Sequence, residues 1–313
     1  MDSPSLNESP GVLMSSPTPV PMPSSGIVGA AGGSFTLSLQ AGQEFRSYPP
    51  RDTENYLICP MYSRLTRSYV PKGLEWSPSM LIGTAVHAGV VAHYTHSPIP
   101  PLQAAREVLA QEFVAQEKYT LEGVWKSVER GVKLGIEAEL DAGRKLVCAE
   151  EMVYGRRADL VWRMSSGEGL RVTDVKVRLN LDADKLPYAQ QEAEHSWQLH
   201  DYGYHYGLHF GEPVPWCEMA FIILAPRARV VVHPVKMTEE RLAQWYATAQ
   251  VTWARRAVDE QAETPPQNWM VCDSRIFYGQ PCPFRGFCHT HKADWSMIDT
   301  LCDRRPAREH TAY

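Results

Sequence analysis

The segment that most constrains this chain is Gly155–Lys176, GRRADLVWRMSSGEGLRVTDVK. Ala158–Met164 and Leu170–Val177 carry the β-branched and aromatic residues of strands. Ser165-Ser166-Gly167-Glu168-Gly169 between them is turn chemistry. A turn centred between Ser166 and Gly167 predicts Arg163 opposite Leu170, Val161 opposite Val172 and Asp159 opposite Asp174. Strand alternation then places Lys176 on the face of Asp174. Facing carboxylates repel each other, so a chain that keeps them needs a neutralising cation. Carboxylate and carbonyl oxygens suit a hard divalent ion such as Mg²⁺ or Mn²⁺. The bland alternative is a solvated strand face with three charges, and a bulge would break the register.

The elements around this hairpin follow from pattern and caps. Ser77-Pro78 followed by an apolar run to Tyr94 predicts a capped, mostly buried helix. Gly83 and His87 share one face of it, with Gly83 expected to admit a close backbone neighbour. His87 is either a satisfied core histidine or a metal ligand. Residues 102–141 read as helical, with solvated charged faces. Lys145–Tyr154 reads as one strand, with Glu150 and Glu151 on opposite faces, so that at most one reaches the site. Pro187–Phe210 reads as one helix carrying Gln191, His195, Gln198 and Tyr202 on a polar stripe; the plainer alternative is an aromatic-rich packing helix. Val214–Leu224 and Val230–Pro234 read as strands, and Thr238–Asp259 as a helix capped by Thr238. Arg255 and Arg256 are either phosphate contacts or a solvated helix end. The order of elements predicts an α/β domain with a mixed central sheet flanked by helices.

Seven cysteines occur in 313 residues. The odd number and the lack of an export signal argue against a disulfide framework. Cys272, Cys282 and Cys288 follow a Cys-x9-Cys-x5-Cys spacing, and Cys59 supplies a fourth thiolate, the number that a 4Fe–4S cluster or a structural Zn²⁺ requires. The lack of a CxxC pair lowers the zinc reading, while His289 and His291 keep a Cys/His zinc site open. Such a site would clamp the two chain ends together. Cys148, Cys217 and Cys302 read as ordinary cysteines. The net charge of −5 excludes a broadly basic nucleic-acid coat but not a local groove. No apolar run reaches 18 residues and no secretory signal is visible, so no membrane association and a cytoplasmic location are expected.

Five motifs in one order carry a resemblance: Gly83-x3-His87, Gly155-x2-Ala158-Asp159, Asp174-Val175-Lys176, Gln198-x3-Tyr202, and Cys59 with Cys272, Cys282 and Cys288. Together they resemble the PD-(D/E)xK nuclease superfamily, in its RecB-like branch with a C-terminal cysteine cluster, the AddB, CRISPR-associated and phage exonuclease type. The chain departs from that pattern in having Ala158 before the first acid and nine residues between the first two clustered cysteines. The resemblance implies a restriction-endonuclease-like core over residues 41–271, with Cys59 contributing to a 4Fe–4S region at 272–313. Residues 1–40, rich in Ser, Pro and Gly, read as a disordered tail.

The resemblance further implies Mg²⁺ or Mn²⁺ held by His87, Asp159, Asp174 and the carbonyl of Val175. Asp159, Asp174, Lys176, Gln198 and Tyr202 would be the catalytic set, and Glu150 or Glu151 would bind a second metal or its water. The activity implied is DNA exonuclease in recombination, repair or CRISPR-like processing, acting on DNA with a single-stranded end and with protein partners of that setting. Trp76 and Trp197 are base-stacking or core-packing residues. A catalytically silent Fe–S DNA-binding adaptor and a redox Fe–S protein are the two other classes of function.

Overall fold

Proline opens one helix after another, at the first turn where its missing N–H is not needed. The computed structural model describes residues 48–72, 78–113, 119–272 and 281–305; the expected tail, the Ser77 cap and Trp76 lie outside the described residues. Helices α1 (Pro50–Ile58) and α2 (Pro60–Ser68) flank Cys59, and the short strand β1 (Tyr69–Pro71) follows. Next come α3 (Pro78–Tyr94), α4 (Pro101–Glu112) and α5 (Leu121–Glu137). Strand β2 (Arg144–Ala149) leads into a small two-stranded hairpin, β3 (Met152–Val153) and β4 (Arg156–Arg157), and then into β5 (Leu160–Met164) and β6 (Leu170–Arg178). Helices α6 (Leu186–Glu194) and α7 (Trp197–Phe210), strands β7 (Trp216–Ile223) and β8 (Arg229–Lys236), and helix α8 (Glu239–Gln261) complete the core. The short helix α9 (Trp269–Cys272), a π-helical turn at Gly286–Thr290, α10 (Ile298–Leu301) and β9 (Cys302–Arg304) follow.

The central sheet has the order β2-β5-β6-β7-β8. The β6–β7 pair is parallel and the other neighbours are antiparallel, so the α/β fold with a mixed sheet is as expected. The predicted hairpin register holds: Val161 faces Val172 and Arg163 faces Leu170. Alternation divides the core into two layers. Leu160, Trp162, Val175, Ala220 and Ile222 pack with α3, α4 and α5. Val161, Val172, Met219 and Phe221 pack with the α6–α8 side.

Four local expectations are corrected. Among the described residues Gly83 has no close neighbour, since a Cβ there meets nothing within 4 Å. The close α3–α5 approach is made at Gly131 and Gly135, where an added Cβ would lie 2.6 Å from Val86 and 2.4 Å from Val90. The strand expected over 145–154 ends at Ala149, because Glu150 takes a left-handed backbone, φ 54°. The single helix expected over 187–210 breaks at His195-Ser196, where Ser196 caps α7 by accepting from Leu199 N. The break leaves Gln191 and His195 exposed and off the stripe of Gln198 and Tyr202. Arg256 is neither a phosphate contact nor solvated: it is fully buried, donates to Glu260 at 2.9 Å and lies 3.8 Å over the Tyr48 ring.

Candidate active site

Odd and even positions of β6 decide what reaches the site. Val175 enters the α3–α5 layer, so its neighbours Asp174 and Lys176 share the opposite face, toward α7. Asp174 is buried, and its Oδ2 lies 2.7 Å from Lys176 Nζ. Lys176 Nζ donates to Gln198 Oε1 at 3.0 Å, and Gln198 Nε2 donates to the Tyr202 hydroxyl at 2.6 Å. That hydroxyl donates in turn to the carbonyl of Arg157 at 2.8 Å. The Ser196 cap puts Gln198 in the first turn of α7, and Tyr202 stands one turn further on the same face.

Asp159 immediately precedes β5. Its Oδ2 accepts from Val175 N at 2.6 Å, and its Oδ1 lies 3.0 Å from His87 Nε2. The same histidine nitrogen lies 3.3 Å from Glu150 Oε1, and Arg157 Nε lies 2.8 Å from Glu150 Oε2. His87, Glu150 and Asp159 each offer a ligand atom within 4.8 Å of the others, a group of the size that can hold a metal ion. Asp174 stands outside that compact trio and turns toward Lys176.

The structure thus selects between the two adjacent acids. The left-handed Glu150, held by its N–H donating to Ala158 O at 3.0 Å, turns its carboxylate to the site. Glu151 instead uses its carbonyl to accept from the Tyr206 hydroxyl. Glu54 on α1 was not visible in the sequence, since nothing in its neighbourhood repeats a catalytic spacing. Burial raises its pKa, opposed by the nearby charge of Lys176 and by a hydrogen bond from the backbone of Gln198. Trp197 packs edge-on against Trp245, with ring centroids 5.4 Å apart, which is the core role of its two sequence readings.

The electrostatics are those of a site awaiting positive charge. Burial, only partly offset by Lys176, pushes the Asp174 carboxyl up to about 6. Burial would raise Asp159 too, but His87, Lys176 and the Val175 N–H together hold it below the usual carboxylate range. Burial would lower His87, but Asp159 and Glu150 raise it instead. For Lys176 the desolvation penalty is outweighed by Asp174, Asp159 and Glu54. His87 Nε2 and both Asp174 carboxylate oxygens are buried, and their close contacts lack hydrogen-bond alignment. Buried polar atoms left in this condition are costly. A hard cation among these oxygens and the imidazole would satisfy them, so the donor set fits Mg²⁺ or Mn²⁺.

A second cluster forms where the α1–α2 segment meets residues 282–302. Cys59, Cys272, Cys282 and Cys288 are all buried in one apolar nest with Met61, Leu65, Phe284 and Phe287. Asn268 N donates to Cys59 Sγ at 3.4 Å, and Cys282 N donates to the carbonyl of Cys272 at 3.0 Å. Burial and the neighbouring sulfurs push the Cys282 and Cys288 thiols up to about 12. Such buried thiols are inert unless a metal takes the proton's place. Cys302, expected to be ordinary, is buried in the same nest. Its strand β9 pairs with β1, with Pro71 opposite Cys302.

A sequence profile of the PD-(D/E)XK nuclease superfamily matches residues 50–289. No curated protein sequence matches the chain. Among solved structures, the crystal structure of a protein from Eubacterium rectale, provisionally described as an exonuclease, is similar at 16% identity and a TM-score of 0.43. That likeness covers 72% of this chain and 85% of the other.

Proposed function

Since the chain belongs to the PD-(D/E)XK nuclease superfamily, we propose that it is a metal-dependent DNA exonuclease of the RecB-like Fe–S branch. It would process DNA with a single-stranded end in the cytoplasm, during recombination, repair or CRISPR-like handling, alongside protein partners of that setting. The observation that carries this reading is the chain of contacts Asp174–Lys176–Gln198–Tyr202 beside the His87–Glu150–Asp159 trio. His87, Asp159, Asp174 and the Val175 carbonyl would hold Mg²⁺ or Mn²⁺, and Glu150 joins them as the acid that the fold turns inward. A divalent ion held there supplies charge stabilisation to the phosphate in the transition state and makes a water more acidic. Lys176 orients the attacking water or the scissile phosphate. Gln198 fixes the ammonium, and Tyr202 fixes Gln198, so the lysine spends little entropy in reaching its working position.

The four cysteines divide the molecule functionally into a nuclease core over 41–271 and a cluster region over 272–313, with Cys59 lent across. A 4Fe–4S cluster suits them better than Zn²⁺. The lack of a CxxC pair, the usual zinc-ribbon spacing, favours iron over zinc. Aromatic shielding by Phe284 and Phe287 further suits a cluster kept from solvent.

The test is digestion of end-labelled DNA by purified protein in Mn²⁺. Asp174→Ala and Lys176→Ala are expected to lower the rate by about a hundred- to a thousandfold, the scale of losing an electrostatic stabiliser of the transition state. Undiminished digestion by both variants overturns the reading. Retention of DNA without cleavage in any divalent metal would mark the protein as a binding adaptor instead.

A further inference from the structure

The β3–β4 hairpin joins the two halves of the candidate metal trio, with Glu150 just before it and Asp159 just after. Its two-residue turn is Tyr154-Gly155, between Val153 and Arg156, which face each other. Both turn residues have positive φ, 48° and 75°, as in the tight primed turns that favour Asn-Gly. A bulky aromatic in the left-handed region is an outlier for an L-residue. Folding pressure alone would place Asn there. The ring is not recruited to the core either, since Tyr154 is 54% exposed. It leans against His205 and His209 of α7, with centroids 6.1 and 5.9 Å away.

The backbone beneath this ring is held firmly. Arg156 is buried, donates to the Tyr154 carbonyl and pairs with Asp201 at 2.8 Å. The Tyr206 hydroxyl donates to Glu151 O at 2.7 Å and accepts from Ala158 N at 2.8 Å. The Tyr202 hydroxyl holds the Arg157 carbonyl. A rigid mount for an exposed aromatic, beside a set of metal ligands, is what base stacking requires. Arg157, 61% exposed at its side chain, follows the turn by two residues and is ion-paired with Glu150 of the trio, Nε to Oε2 at 2.8 Å.

We infer that the Met152–Arg157 hairpin is the rest on which the substrate strand lies: Tyr154 stacks an unpaired base, and Arg157 holds a backbone phosphate between that base and the scissile bond. This rests on the nuclease reading and deepens it by naming what recognises a single strand. His205 lies seven residues beyond Gln198 along α7, roughly 10 Å at 1.5 Å per residue, which places the stacked base a few nucleotides from Lys176. A base inside a duplex offers no free face to such a ring, so the rest discriminates against blunt duplex.

The experiment compares single-stranded and blunt duplex DNA in two arms, Mn²⁺ kinetics and anisotropy of a labelled strand in Ca²⁺. Tyr154→Asn removes the ring while suiting the left-handed backbone, so folding is preserved. It is expected to raise the KM for single strands about 5- to 150-fold, the worth of one stacked base, with kcat little changed and duplex KM unmoved. Tyr154→Phe restores the single-strand KM. Arg157→Gln is expected to flatten the salt dependence of log(kcat/KM) by about 0.7, one single-strand phosphate contact. Val251→Asn, exposed on α8, leaves binding as it was. Equal single-strand KM and anisotropy for Tyr154→Asn and wild type overturns the inference. If the wild-type protein cuts nothing in Mn²⁺, the nuclease reading fails, and the anisotropy arm still decides: weaker binding by Tyr154→Asn supports the stacking rest, and equal binding overturns it.

Discussion

Asp174 shows most directly how a buried carboxylate of the candidate site carries a cost in stability. Burial pushes its carboxyl up to about 6 in the fold from an ordinary 3.8. The native state therefore keeps a proton that the unfolded chain gives up. This group's contribution to the stability of the metal-free protein is fully present below about pH 4 and is lost as pH rises through about 6. A divalent ion held there would reverse that loss, because it would bind only the folded, deprotonated site. Differential scanning should show Mn²⁺ raising the Tm more at pH 7.5 than at pH 5. Equal shifts at the two pH values would remove Asp174 from the ligand set. Asp159, Asp174 and Lys176 were legible from period-two alternation. The choice of Glu150 over Glu151 was not, because alternation assumes an unbroken strand and the left-handed backbone at Glu150 breaks it.

At the scale of elements, the site depends on where α7 begins. The sequence from Pro187 to Phe210 reads as continuous helix, since no proline or glycine marks an interior stop before Gly203. The structure restarts the helix at Trp197, with the Ser196 hydroxyl accepting from Leu199 N at 3.2 Å. That cap sets the position of Gln198 against Lys176. Ser196→Ala is expected to cost about 1 kcal/mol, or about 2–4 °C in Tm for a chain of this size. It should also lower kcat by more than the stability loss explains, because the frayed turn carries Gln198. A denaturant titration paired with steady-state kinetics checks both, and an unchanged kcat would sever the cap from the site. Capping by Ser is a weak sequence signal because serine is equally at home in turns and on solvated faces.

For the molecule as a whole, the cysteine nest ties the start of the fold to its end. Met61 N donates to Pro266 O, Asn268 Nδ2 to Ile58 O, and β1 pairs with β9. A cluster in that nest would hold α1, and with it Glu54, against the α7–Lys176 side of the site. Anaerobically purified protein is expected to carry iron with visible absorption. Cys59→Ser should abolish the absorption and lower the Tm by several degrees, whereas Cys148→Ser, outside the nest, should do neither. Zinc with no visible absorption in the wild type would replace iron by zinc, and a metal-free, equally stable Cys59→Ser would remove the clamp. No helix among the described residues is long and apolar enough to cross a membrane.

The amino-acid order alone determined the hairpin register, the placing of Asp174 and Lys176 on one strand face, and the grouping of elements into a mixed α/β sheet, because strand alternation and turn chemistry are local and act over a few residues. Only the tertiary structure decided that Glu150 faces His87, that Glu54 stands near Lys176, that the polar stripe is cut at Ser196, and that Arg256 is buried. Each of these joins groups far apart in the chain or departs from a regular period, and the free energy that settles them comes from packing and desolvation between elements.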